Sequence, residues 1–382
     1  LTRGFSGVLF YNRGNFQIGA STSDNNLTIN GNNKPANVIN NSGTLTINNG
    51  TFLGDGTKQA TAYTDVYGGF LHSAGTLTIN NGTFKWFIAQ SGGVIKPEHG
   101  AITTINGGTF TENKAISYAG VIDVYGTTTI KGGSFTKNTA TNGGVTSQTD
   151  KSASQLNISG GTFENNSVTN TAGAIYIHNG TISGTAMIRN NTAANAGALY
   201  LGANTVTISG GTITGNTATT NGGGVYVKKS THSITGGTIS NNTAGYGGGI
   251  FVEGGTLTMN GGTITNNTCA TNGSQIYNNS GATAYLYGGE ISSNSTTGYV
   301  VHSTGTLVIG ESGATTGPNI GKLGARSYTG VFTSGTCTVN AGNIYTSKGN
   351  ALATQGTTTI NGGTIDFYAK SVNVQSLLVL AG

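Results

Sequence analysis

Hydrolysis of polysaccharides needs two carboxylates held within several ångströms of each other, and elimination needs clustered acids for calcium beside a basic group. The chain offers twelve acids in 382 residues: Asp24, Asp55, Asp65, Glu98, Glu112, Asp123, Asp150, Glu164, Glu253, Glu290, Glu311 and Asp366. Most are expected to be alone on their rung and on different faces. The densest grouping is Lys96, Glu98 and His99, with Glu112 about half a repeat later, and its plainer reading is a polar loop. Glu164 and Arg189 are expected to meet as an outward ion pair on neighbouring coils. His72, His99, His178, His232 and His302 show no HxH or HxxxH spacing, and no GGxGxD calcium repeat occurs, so neither metal nor cofactor is expected. His232 is expected to point inward among apolar neighbours. Lys228 and Lys229 make only a small basic spot, and a net charge of +5 gives no nucleic-acid groove. No glycine-rich phosphate loop stands between a strand and a helix. These residues favour a noncatalytic protein, with a polysaccharide lyase or hydrolase as the alternative.

The elements that would have to position any site are repeats. GTLTINNGTF runs from Gly43 to Phe52 and again from Gly75 to Phe84, and variants end at Phe110, Phe135, Phe163, Ile213, Ile239, Ile264, Ile291, Ile344 and Ile365. Weaker copies end at Ile188 and Ile320. The mean period of about 26 residues, with two-residue apolar alternation and no helical spacing, predicts a three-faced solenoid of short strands. The expected fold is all-β, a right-handed parallel β-helix of about 13 to 14 rungs and roughly 65 Å in length, at ~4.8 Å per rung. Residues 1–38 are expected to form an N-terminal cap or irregular first coils, 39–370 the helix, and 371–382 a C-terminal strand or cap.

Three side-chain series follow the period. Three residues past successive anchors stand Asn113, Asn138, Asn166, Asn191, Asn216, Asn242, Asn267 and Asn294. Asparagine tolerates unusual turn angles and stacks into amide ladders, so a structural role is expected. The series stops at Leu323, Ser347 and Tyr368, which predicts a changed turn in the last three rungs. Tyr176, Tyr200, Tyr226, Phe251 and Tyr277 are expected to project from one strand of five consecutive rungs as an exposed aromatic stripe, either a structural stack or a surface for a glycan or protein partner. Outward threonine pairs such as Thr44/Thr46, Thr76/Thr78, Thr127/Thr129 and Thr256/Thr258 make a hydroxyl array. Ice binding is a further alternative for that array, although Ile102, Gln155, Asn157, Tyr285 and Val308 interrupt it.

Composition agrees with a rod. Among the 66 glycines, the GG before the anchors and the GG or AG before each IYV-like strand are where a bend or a close backbone approach is expected. Cys269 and Cys337 fall at different corners several coils apart, beyond disulfide reach. Leu377 to Leu380 is far too short to span a bilayer, and Leu1 reads as a cut or trimmed start. The polar, charge-poor repeats suggest an extracellular or bacterial cell-surface address.

GAIYI at Gly173 to Ile177 with FENN at Phe163 to Asn166, and GGIFV ending at Val252 with ITNN at Ile264 to Asn267, carry a family pattern. Over roughly residues 40 to 370 the chain resembles the polymorphic outer membrane proteins and related autotransporter-type passenger domains. That resemblance implies a parallel β-helix in an adhesin, stalk or host-contact surface, with a glycan or host surface protein as partner and end-to-end or lateral self-association as further possibilities.

Overall fold

A computed structural model of the chain describes residues 1–2, 7–23, 26–31, 37–54, 66–150, 153–293, 298–321, 329–346 and 349–367. The described chain is a right-handed parallel β-solenoid with about 26 residues per coil. Strands stack into three parallel sheets of 14, 8 and 26 strands. Within 1–38, Phe10–Asn12 pairs with Ile39–Asn41 and Asn15–Ile18 with Thr44–Ile47, so that segment supplies the first coil of the stack. The segment 371–382, together with Asn294, Leu323, Ser347 and Tyr368, lies outside the described residues.

Alternation within each strand decides its two faces. In Thr44–Ile47 the leucine and isoleucine are buried while the threonines face solvent; the same division recurs in Thr76–Ile79, and in Thr127–Ile130 the buried positions are Thr128 and Ile130. Each anchor falls on the previous one: Phe52, Phe84, Phe110, Phe135 and Phe163 pair in register and are fully buried. From Phe84 to Phe163 successive rings lie parallel with centroids 4.7–4.8 Å apart. Ile188 and Ile213 then take over the column. The strand spacing of ~4.8 Å is also a favourable ring-stacking distance, so the coil pitch and the aromatic contact reinforce each other.

The repeated glycines act in two ways. Gly108, before Phe110, has φ +103°, and a Cβ there would lie 3.0 Å from the Gly82 carbonyl oxygen. Gly173, before the Ile175–Ile177 strand, would place a Cβ 2.1 Å from the Gly197 carbonyl oxygen, so no side chain fits between those coils. The anchor glycines do not always break the strand: Val206–Thr214 and Thr231–Ser240 run through theirs.

The asparagine series is an interior ladder. From Asn113 to Asn267 its members are at most 1% exposed. The left-handed backbone expected of these asparagines belongs instead to the residue before them: Glu112, Lys137, Asn165, Asn190, Asn241 and Asn266 have φ of 55–56°. That twist turns the following amide inward. Each Oδ1 accepts from both the backbone N–H and the Nδ2 of the asparagine one coil earlier, as Asn191 does from Asn166 at 2.9 Å each. Each Nδ2 donates onward and also to the anchor carbonyl one coil back, as Asn191 does to Asn216 and to Phe163. At one end Asn113 accepts from the Phe87 N–H; at the other Asn267 donates to Gln275 Oε1 at 2.7 Å. His232 is fully buried as expected, and burial lowers its imidazole. Cys337 occupies the inward position, pairing with Leu307, and both cysteines are free.

Candidate functional site

The outward positions of the 14-stranded sheet form one column. In register it runs Asn40, His72, Lys96, then Asp123, Ser147, Tyr176, Tyr200, Tyr226, Phe251, Tyr277, His302 and Phe332. Ile95 pairs with Ile122, which sets Lys96 beside Asp123. Titratable groups and aromatic rings therefore occupy successive halves of a single face.

In the titratable half, Lys96 Nζ lies 2.7 Å from Asp123 Oδ2, with the two side chains 7% and 2% exposed. The ammonium sits 3.1 Å from the Tyr125 ring centroid and 5.9 Å from that of Tyr67, a cation–π setting. Thr149 donates its hydroxyl to Asp123 Oδ1 at 2.7 Å. Burial pushes the Asp123 carboxyl up, Lys96 and Thr149 oppose that rise, and the Glu98 carboxylate adds to it. His72 Nε2 meets Glu98 Oε1 at 2.7 Å, both 36% exposed, and His99 Nδ1 meets Asp150 Oδ2 at 3.1 Å. Each of these acids is alone on its coil, as expected, but the gathering of Glu98, Asp123 and Asp150 from successive coils corrects the expectation that the acids lie on different faces. Glu112 is not part of it: it accepts from Trp86 Nε1 at 2.7 Å and pairs with Lys85 at 3.6 Å. The signal lay in the period, since His72 and Glu98 are 26 residues apart and Lys96 and Asp123 are 27 apart.

In the aromatic half the five predicted residues do stack. Tyr176 and Tyr200 rings are 4.4 Å apart, Tyr200 and Tyr226 5.3 Å, Tyr226 and Phe251 5.2 Å, and Phe251 and Tyr277 5.4 Å. They are not the exposed stripe expected: Tyr226 and Phe251 are buried, and Tyr176, Tyr200 and Tyr277 are half-buried. The physical reason is that each ring covers its neighbour's face, while Ala196 packs with the stack and Tyr246 meets Tyr277 edge-on. Burial pushes the hydroxyls of Tyr176, Tyr200 and Tyr226 up. Tyr226 donates to Glu253 Oε2 at 2.6 Å, and Lys228 reaches the same oxygen at 2.5 Å. The outward Glu164–Arg189 pair forms as expected, at 2.8 Å.

The 26-stranded sheet carries the hydroxyls. Thr46, Thr78, Thr104 and Thr129 pair in succession, as do Thr181, Thr207, Ser233 and Thr258, with Asn157 between the two runs. Beyond the glycine pairs a second array runs alongside, including Thr111 and Thr136, which share a 3.0 Å hydrogen bond. An open concavity of about 530 Å³ near Ser312, Thr315, Asn340 and Asn361 has no ionisable side chain in its lining. Among the described residues no group of three or more His, Cys, Asp or Glu side chains could hold a metal ion, and no helix is long and apolar enough to cross a membrane. In comparisons with known proteins, no family model, no curated protein and no solved structure matches the sequence.

Proposed function

We propose that the chain is a noncatalytic shaft segment of a bacterial cell-surface or secreted adhesin, making contact through the hydroxyl-bearing outer face of the 26-stranded sheet. One observation carries the reading: the groups best suited to specific recognition are taken up in packing and bonding to one another. The phenylalanines stack in the core, the asparagines hydrogen-bond to one another, and the tyrosines cover each other's faces. What remains outward over many coils is a charge-poor surface of threonine and serine, suited to many weak polar contacts with a linear glycan or host protein. The test is binding to a panel of glycans and matrix proteins. Wild type is expected to bind at least one, Thr129→Lys with Thr258→Lys is expected to abolish it, and Tyr200→Ala is expected to leave it largely intact. Failure to bind any member of the panel refutes contact through this segment.

The convergence of Glu98, Asp150, His72 and His99 favours a second reading, a polysaccharide-degrading enzyme, since acid–histidine pairs whose imidazoles reach solvent can exchange protons with substrate. Release of new reducing ends from a polysaccharide set, lost in Glu98→Gln, would favour it over the shaft.

A further inference from the structure

We propose that Lys96 and Asp123 condense to an intramolecular amide that ties two successive coils together covalently. The side chains project from the neighbouring strands Ile95–Pro97 and Ile122–Asp123, and their reacting groups already touch, with Nζ 2.7 Å from Oδ2. Contact of this kind removes most of the entropic barrier to a bimolecular reaction. Both side chains are less than a tenth exposed, and Nζ lies against the Tyr125 ring. So dry a setting penalises a charged carboxylate and favours its neutral acid, one of the two forms that react. The rise of the Asp123 carboxyl on burial acts in the same direction. Thr149, donating to Oδ1 at 2.7 Å, is placed to hold the negative charge that develops on that oxygen.

The step balances without a co-reactant. Nζ first gives a proton to Oδ2, leaving amine and acid. The amine lone pair attacks Cγ, and the displaced carbonyl electrons rest on Oδ1 beside the Thr149 hydroxyl. A second proton passes from nitrogen to Oδ2, the Cγ–Oδ2 bond breaks, and Oδ2 departs as water while Oδ1 reforms the carbonyl. One ammonium and one carboxylate become one amide and one water, and the net charge of the chain is unchanged. The other lysine–carboxylate pairs among the described residues lack this setting: Lys85–Glu112 is 28% and 41% exposed and Lys228–Glu253 is 45% and 32% exposed. The bond would close a covalent loop across 27 residues at the level of adjacent coils. The proposal does not depend on whether the shaft binds a glycan.

Mass spectrometry of the purified full chain, denatured before measurement, tests it. The expected result is a mass lower than that of the sequence by one water, with fragment spectra joining the peptides that contain Lys96 and Asp123. The full sequence mass, or a water loss placed elsewhere, overturns the proposal. Lys96→Arg keeps the ion pair but has no amine nucleophile, so it is expected at full mass; the same water loss in that variant also overturns it. In cell-free synthesis, Thr149→Val is expected to accumulate the lighter species at least about tenfold more slowly, as for loss of an oxyanion donor. An unchanged rate overturns the role given to Thr149.

Discussion

Replacing Asn191 with alanine removes one link of the buried amide ladder, and the cost can be worked from the bonds it breaks. Asn191 Oδ1 is the acceptor for the Asn166 backbone N–H and for the Asn166 Nδ2, each at 2.9 Å. Its Nδ2 serves the Phe163 carbonyl at 3.0 Å and Asn216 Oδ1 at 2.9 Å. Asn216 Oδ1 still accepts from the Asn191 N–H, so the main loss is two buried donors without an acceptor. At about 1–3 kcal/mol for each, the variant should lose about 2–6 kcal/mol locally. A rod of stacked coils need not unfold in one step, so a global midpoint would dilute the effect. Hydrogen exchange is the better assay: protection of the Asn166 amide should fall steeply, with weaker changes several coils away. Thr217→Ala, at an exposed position, should stay within about 0.5 kcal/mol of wild type. Asn191→Asp should add a pH dependence. Its carboxylate would face two acceptors, so its pKa is raised in the folded state. Its deficit should be smallest at acidic pH, below the ordinary carboxyl range, and grow as pH rises through the folded pKa. A loss under about 1 kcal/mol for Asn191→Ala, or an Asn191→Asp variant indifferent to pH, would refute the ladder's role.

Phe135→Ala, in the middle of the ring stack, should cost about 3–5 kcal/mol and Phe135→Leu clearly less, as measured by denaturant unfolding of both variants. Gly173→Ala should cost about 2 kcal/mol or more, because its Cβ meets the Gly197 carbonyl; wild-type thermal stability would remove that clash from the account. His302, tilted against Tyr277 and edge-on to Phe332, has its imidazole lowered to about 4 by burial. Its folded pKa is depressed, so its contribution is complete above the unfolded value of about 6.5 and is lost as pH falls towards about 4, on the order of 3 kcal/mol in all. His302→Phe should flatten that acid limb in unfolding curves taken across the range, and an unchanged limb would assign the sensitivity elsewhere.

The coil and its contents were legible because one period governs them. Phe110 and Phe135 fall 25 residues apart in sequence and on top of one another in space, and Asn113 and Asn138 do the same. What escaped was contact between groups on different coils and the depth of cover over the outward positions. Lys96 and Asp123 look unrelated when acids are counted along the chain, and become neighbours once the period is applied to charges as well as to anchors. The tyrosine stripe was placed on the correct side of its strand, but alternation reports only which way a side chain points. How much solvent remains depends on the ring above, the ring below and corner residues such as Ala196 and Tyr246. The left-handed residue falls one position before each ladder asparagine, where Asn165, Asn190, Gly215, Asn241 and Asn266 are types that favour it but Glu112 and Lys137 adopt it as well, so residue type alone does not mark the position.

The amide ladder also gives the rod a direction. Every carboxamide from Asn113 to Asn267 offers its oxygen towards the earlier coil and an N–H towards the later one, so the dipoles add along the axis instead of cancelling. A coil inserted in the same sense would meet a waiting donor on one side and a waiting acceptor on the other. One inserted in the opposite sense would set oxygen against oxygen. Length can therefore be gained or lost by duplication or deletion of whole coils without disturbing either flank, whereas a partial coil would shift every amide beyond it out of step.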